Sequence, residues 1–152
     1  MILPSGAQAP DFTLPDQYGA PVSLAALTAR APVALVFFPL AFSGICRGEL
    51  CELRDHLPLF RDAKVELVGV SVDSKFALRA WGEQEGFDFP LLADFWPHGE
   101  VARAYGAFRE DAGTASRASF VIERDGRIRA SFASAPGEAR PLAAYREAIA
   151  GL

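Results

Sequence analysis

The chain holds 152 residues, 51% of them hydrophobic and 22% charged, the balance of a globular protein large enough to bury one real core. Its net charge of −4 disfavours nucleic acid and anionic membrane as partners. The chain has 2 histidines and 2 cysteines. The cysteines, Cys46 and Cys51, are too few for a secreted disulfide scaffold, and neither His56 nor His98 stands at a zinc ligand-pair spacing from them.

The opening Met1-Ile2-Leu3-Pro4-Ser5-Gly6 lacks the charged and then apolar pattern of a secretory leader. The longest apolar run, Ala31 to Phe42, is interrupted by prolines and falls well short of the roughly 20 residues that a membrane span needs. The expectation is a soluble, cytoplasmic protein. No internal repeat or Gly/Ser/Pro-rich linker divides the chain, which predicts a single domain over residues 1–152.

Pro10 to Leu14 alternates, meets the turn cluster Asp16-Gln17-Tyr18-Gly19, and continues as Val22-Ser23-Leu24, which predicts an N-terminal hairpin. Val33 to Phe38 is an unbroken apolar run stopped by Pro39, as expected for a strand covered on both faces. From Ser43 to Phe60, Cys46, Leu50, Leu53, Leu57 and Phe60 fall on one helical face. Val65 to Val72 is a second buried strand, and Ser74 to Glu85 is a helix opened by a capping serine. A short helix follows over Glu100 to Tyr105. Ser119–Glu123 and Ile128–Phe132 flank an Asp-Gly turn signal as a second hairpin, and Leu142 to Leu152 closes the chain as a helix. That order predicts an α/β fold of thioredoxin-like type, a mixed central sheet flanked by helices with an N-terminal β-hairpin.

The chemistry concentrates where the first buried strand ends. Pro39 stops it, a short loop follows, and a helix opens with Cys46 in its first turn, Ser43 standing as N-cap. Unpaired N–H groups and the helix dipole favour an anion there and lower a thiol pKa. On position alone, Cys46 reads equally well as a small apolar residue at the top of the core stripe.

Pro39, Ser43 and Cys46 form Pro-x-x-x-Ser-x-x-Cys, which resembles the Pro-x-x-x-Thr/Ser-x-x-Cys signature of the peroxiredoxins. The segments at 37–42, 44–46, 48–50, 54–58, 89–92, 94–99 and 105–106 resemble the alkyl hydroperoxide reductase E-type branch, and residues 10–14 match the family's opening strand. The resemblance implies that Cys46 is the peroxidatic nucleophile, which a peroxide converts to a sulfenic acid. It implies that Ser43 holds the peroxide, that Pro39 shields the sulfur, and that Arg117 pairs with the thiolate and the developing oxyanion. It also implies that Glu49 orients the arginine. Without the resemblance, Arg117 reads as a surface arginine and Glu49 as a solvated helix charge. Trp81, Phe95 and Trp96 read as core or interface aromatics, and His56 and His98 as structural.

Cys51 departs from the E-type pattern, which typically has the peroxidatic cysteine alone. Cys-x-x-x-x-Cys here resembles the Q-type peroxiredoxins, whose second cysteine resolves the sulfenic acid as an intramolecular disulfide. Five residues of intact helix rise about 7.5 Å and turn well past one revolution, so that bridge requires the first turns to unwind. Gly44 and Gly48 weaken those turns. The alternative is a passive Cys51 in a one-cysteine enzyme.

The partners implied are a peroxide and a thioredoxin-like or low-molecular-weight thiol reductant, with a homodimer formed near the Phe95-Trp96-Pro97 segment. No metal, haem, flavin or nucleotide motif is present. A disulfide oxidoreductase would place a cysteine three residues after Cys46, where Glu49 stands. A non-enzymatic thiol redox sensor would use the same Cys46 without turnover.

Overall fold

The computed structural model describes residues 1–152, the side chain of Cys46 excepted. The N-terminal hairpin pairs β1 (Thr13–Pro15) antiparallel with β2 (Pro21–Ser23). Leu24, read from sequence as the end of a strand, instead starts helix α1 (Leu24–Arg30), because the Ser23 hydroxyl accepts the Ala26 N–H and caps a helix there.

The unbroken apolar runs become the centre of the sheet. They are β3 (Val33–Phe37) and β4 (Glu66–Ser71), paired in parallel. The predicted helix from Ser43 to Phe60 is two helices, α2 (Gly44–Asp55) and α3 (Leu57–Asp62). Pro58, second in α3, has no N–H to donate and would crowd the preceding turn of a continuous helix. The break falls at His56, whose Nδ1 lies 2.9 Å from the Glu52 carbonyl.

Helix α4 (Lys75–Glu85) starts as expected, with the Ser74 hydroxyl accepting the Ala77 N–H, and ends at Gly86 in the left-handed conformation. Next come β5 (Leu91–Ala93), α5 (Glu100–Ala104), and the two-residue strands β6 (Phe108–Arg109) and β7 (Thr114–Ala115). The chain finishes with β8 (Arg117–Ile122), β9 (Ile128–Ser134) and α6 (Leu142–Ile149), the last ending short of the predicted Leu152.

The central sheet runs β5-β4-β3-β8-β9, with β3, β4 and β5 parallel and β8 and β9 antiparallel to their neighbours. Alternate residues of β3 feed two cores. Val33, Leu35 and Phe37 pack with Phe12, Tyr105 and Phe120, while Ala34 and Val36, with Phe38 just beyond the strand, pack with Leu50, Trp81 and Tyr145. Trp81 is fully buried, with its ring against Phe38, Phe42 and Phe87. Leu50 and Leu53 seat α2 on the second core, so the start of that helix is held at the C-terminal end of β3, where sites in α/β sheets open.

Among the described residues, no helix is long and apolar enough to cross a membrane.

Candidate active site

Strand β3 delivers the chain to Pro39, and residues 39–43 turn it into α2. Phe42 holds the left-handed conformation, φ 68°, unusual for a residue with a bulky side chain. Asp73 secures the loop from beyond β4: its Oδ2 accepts the Ala41 N–H at 2.8 Å and the Ser71 hydroxyl at 2.6 Å.

Ser43 stands at the N-cap, but among the described residues its hydroxyl makes no capping bond. It donates to the Leu40 carbonyl at 3.0 Å instead, which corrects the sequence expectation. Donation to the loop carbonyl orients the hydroxyl toward the loop and leaves its oxygen lone pairs able to accept. Position 46 is the third residue of α2, and the Cys46 side chain lies outside the described residues.

Pro39, Leu40 and Ser43 line a cleft of about 400 Å³ together with Arg109, Ser116, Arg117, Ser134, Pro136 and Gly137. Three of the residues singled out from sequence therefore share one cavity. Arg117 does not precede its strand as predicted; it is the first residue of β8, paired with Ser134 of β9, and it is 7% exposed.

Glu49, one turn beyond position 46, is buried and not the solvated charge its composition would suggest. Its Oε1 accepts from Arg117 Nη1 at 3.1 Å and from Arg140 Nη2 at 2.9 Å. Its Oε2 accepts from Arg140 Nε at 2.9 Å and from the Arg140 backbone N–H at 2.6 Å. Burial by itself would push the Glu49 carboxyl up, but Arg140, through hydrogen bonds and charge, and Arg117 through charge, hold it below its ordinary value.

No motif or periodicity in the sequence marks Arg140. It is 4% exposed, and its Nη1 also donates to the Phe37 carbonyl at 2.7 Å and to the Ser119 hydroxyl at 3.0 Å, itself 2.8 Å from the Tyr145 hydroxyl. The network thus joins α2, β3, β8 and the segment before α6, and fixes the carboxylate that Arg117 leans on. Two guanidinium groups around one carboxylate leave a net positive charge in the network, and Arg117 carries it to the cleft wall.

Cys51 is a half-buried free thiol on another face of α2, where its Sγ lies 3.9 Å from Glu85 Oε2. Burial pushes this thiol up, Glu85 adds to the effect, and Arg54 and Arg47 pull it back. His56 and His98 contact backbone carbonyls, and Phe95 and Trp96 are exposed rather than core.

Residues 5–131 match the AhpC/TSA family. The chain belongs to this family of peroxiredoxins. The peroxiredoxin is 50% identical to alkyl hydroperoxide reductase E of Mycobacterium tuberculosis over 147 residues, 97% of this chain and 96% of the relative. Peroxidoxin BcpB from Mycobacterium tuberculosis superimposes with a TM-score of 0.82 at 34% identity, over 87% of this chain and 86% of the other. The reduced 2-Cys peroxiredoxin of Plasmodium vivax superimposes with a TM-score of 0.86 at 25% identity, over 97% and 80%. The peroxiredoxin is an oxidoreductase with thiol-dependent peroxidase activity, and its thioredoxin-like fold is shared with those two structures.

Proposed function

We propose that Cys46 carries this peroxidase activity as the peroxidatic nucleophile of a two-cysteine cycle completed by Cys51. The observation that supports it most is the cleft shared by Pro39, Ser43 and Arg117 at the start of the helix that holds position 46.

The helix start and the Arg117 charge favour a thiolate. In the first step, the sulfur attacks one oxygen of hydrogen peroxide or an organic hydroperoxide. The S–O bond forms, the O–O bond breaks, and the departing oxygen takes a proton to leave as water or an alcohol. Cys46 is oxidised to a sulfenic acid while the peroxide is reduced. Arg117, steadied by Glu49 and through it by Arg140, stabilises the charge that grows on the leaving oxygen. The Ser43 hydroxyl, already donating to Leu40, offers its oxygen lone pairs to the peroxide O–H. Pro39 limits water at the sulfur.

Cys51 then condenses with the sulfenic acid, and a thioredoxin-like dithiol reopens the disulfide. The placement of Cys51 favours a second reading in one respect. Within an unbroken α2 it lies too far along the helix from position 46 to bridge it, so a Cys51 that stays against Glu85 would leave a one-cysteine enzyme recycled by an external thiol.

The experiment is free-thiol counting and intact mass after one equivalent of hydrogen peroxide, on the wild type and on Cys51→Ser. Loss of both thiols in the wild type, with a sulfenic acid trapped in the variant, is the expected result. A sulfenic acid persisting in both proteins would move the assignment to the one-cysteine enzyme.

A further inference from the structure

Glu85 is the last residue of α4, and its side chain is only 5% exposed, yet it takes no part in the peroxidatic step. A carboxylate that far from water needs strong partners. One is Arg47, whose Nε donates to Oε1 at 2.8 Å and to Oε2 at 3.2 Å. Another is the Cys51 thiol at 3.9 Å from Oε2, within reach for a sulfur donor. The Glu85 backbone carbonyl takes a third contact, from Arg54 Nη1 at 2.6 Å. Residues 47, 51 and 54 are spaced by four and three, so one face of α2 rests on the end of α4.

We propose that Glu85 is a positioning residue, a clasp that holds Arg47 and Cys51 in the helical state and thereby sets how fast the sulfurs of Cys46 and Cys51 join. The proposal rests on the reading that Cys51 resolves the sulfenic acid. The resolving step is Cys46-S–OH plus Cys51-S–H giving Cys46-S–S-Cys51 and water. The S–S bond forms, the S–O bond breaks, the thiol proton leaves with the hydroxyl, the Cys46 sulfur is reduced and the Cys51 sulfur is oxidised.

Five residues of helix hold two Cα atoms farther apart than a disulfide spans, so the turns from Gly44 to Cys51 must open first. Opening pulls Arg47 and Cys51 off Glu85 together and leaves a buried carboxylate without either partner. That penalty opposes the ease of opening contributed by Gly44 and Gly48. A slower opening leaves the sulfenic acid waiting, and a second peroxide can then carry it to sulfinic acid. Glu85 thus divides the enzyme's flux between disulfide and over-oxidation.

The test uses the full chain as wild type, Glu85→Gln and Arg47→Gln, with Leu78→Ala as a variant that loosens α4 without touching the clasp. After one equivalent of hydrogen peroxide, samples are quenched with a thiol-alkylating reagent at intervals, and disulfide, sulfenic and sulfinic forms are counted by mass. Both clasp variants should form the disulfide at least about threefold faster than wild type, the gain expected when an ion pair of modest strength no longer opposes opening. Their rate of peroxide attack should stay within about twofold of wild type, and their sulfinic fraction should fall at high peroxide. Leu78→Ala should not reproduce the acceleration. Equal or slower disulfide formation in the clasp variants overturns the clasp and leaves the two-cysteine cycle standing, as does a matching acceleration in Leu78→Ala. No disulfide in any of the proteins overturns the clasp and the resolving role of Cys51 together.

Discussion

Arg140 grips both carboxylate oxygens of Glu49, Nε to Oε2 and Nη2 to Oε1, each at 2.9 Å, across 91 residues of sequence. The side chains are 1% and 4% exposed, so the pair sits out of water and neither partner tolerates loss of the other. Arg140→Ala should therefore destabilise the fold by about 3 kcal/mol, the low end for a broken buried ion pair, because Arg117 still faces the Glu49 carboxylate. For a chain of this size that lowers the melting temperature on the order of 10 °C by calorimetry. A shift under a few degrees would mean that the network is not mechanically important.

The same pair gives the protein an acid limit. Because the folded Glu49 carboxyl is held below its ordinary value, its contribution to stability is full above the unfolded carboxylate pKa of about 4.3 and fades as pH falls through the lower folded value. The difference in melting temperature between wild type and Glu49→Gln should be wide near neutral pH and narrow below about pH 4. A difference that does not change with pH would contradict the assignment of a charged Glu49.

Arg117→Ala should slow the first step by roughly 10²–10³, as does removal of other charge-stabilising donors, and should raise the pKa at which thiol alkylation of Cys51→Ser titrates. Arg117→Lys keeps the charge and loses the planar fork, and should fall between wild type and alanine. Stopped-flow peroxide oxidation over a pH series reads both quantities. Wild-type rates and pKa in Arg117→Ala would return Arg117 to a packing role.

Much of this architecture is readable from the sequence because its signals are local. The apolar run at 33–38 has no alternation to offer, and 65–72 repeats its pattern less purely; they form the parallel strands covered on both faces. The motif Pro39-x-x-x-Ser43 set two walls of the cleft within a few residues. Arg140 had no such signal, since it precedes Pro141 in a stretch without periodicity and reaches Glu49 only once β8, β9 and α6 are in place. Asp73 and Glu85 were hidden for the same reason, each acting on a segment more than thirty residues away. Leu24 starts a helix where the pattern predicts a strand, because Ser23 serves equally as a strand residue and as a cap and only the Ala26 N–H decides which.

Gly69 marks how tightly α2 and its strand are packed. A Cβ built there would lie 2.9 Å from Leu91 Cδ2 and 3.2 Å from Phe38 Cε1, with Leu50 just behind. Gly69→Ala should cost about 1–3 kcal/mol through overpacking under the active-site helix. Urea unfolding checks it, and a neutral or stabilising result would show that the core under α2 has slack.

Ser43→Ala removes one hydrogen bond to the substrate and should lower kcat/KM for hydrogen peroxide by up to about tenfold, with little change in melting temperature. Steady-state peroxide consumption with excess dithiol reads it, and an unchanged value would remove Ser43 from the substrate contacts.

The most direct test of the central claim is peroxide consumption by Cys46→Ser beside wild type, with excess dithiol reductant and thiol counting on the same samples. Wild type should turn over and Cys46→Ser should not, its Cys51 thiol remaining intact through one equivalent of peroxide. Sustained turnover by Cys46→Ser would contradict the assignment and move the peroxidatic chemistry away from the start of α2.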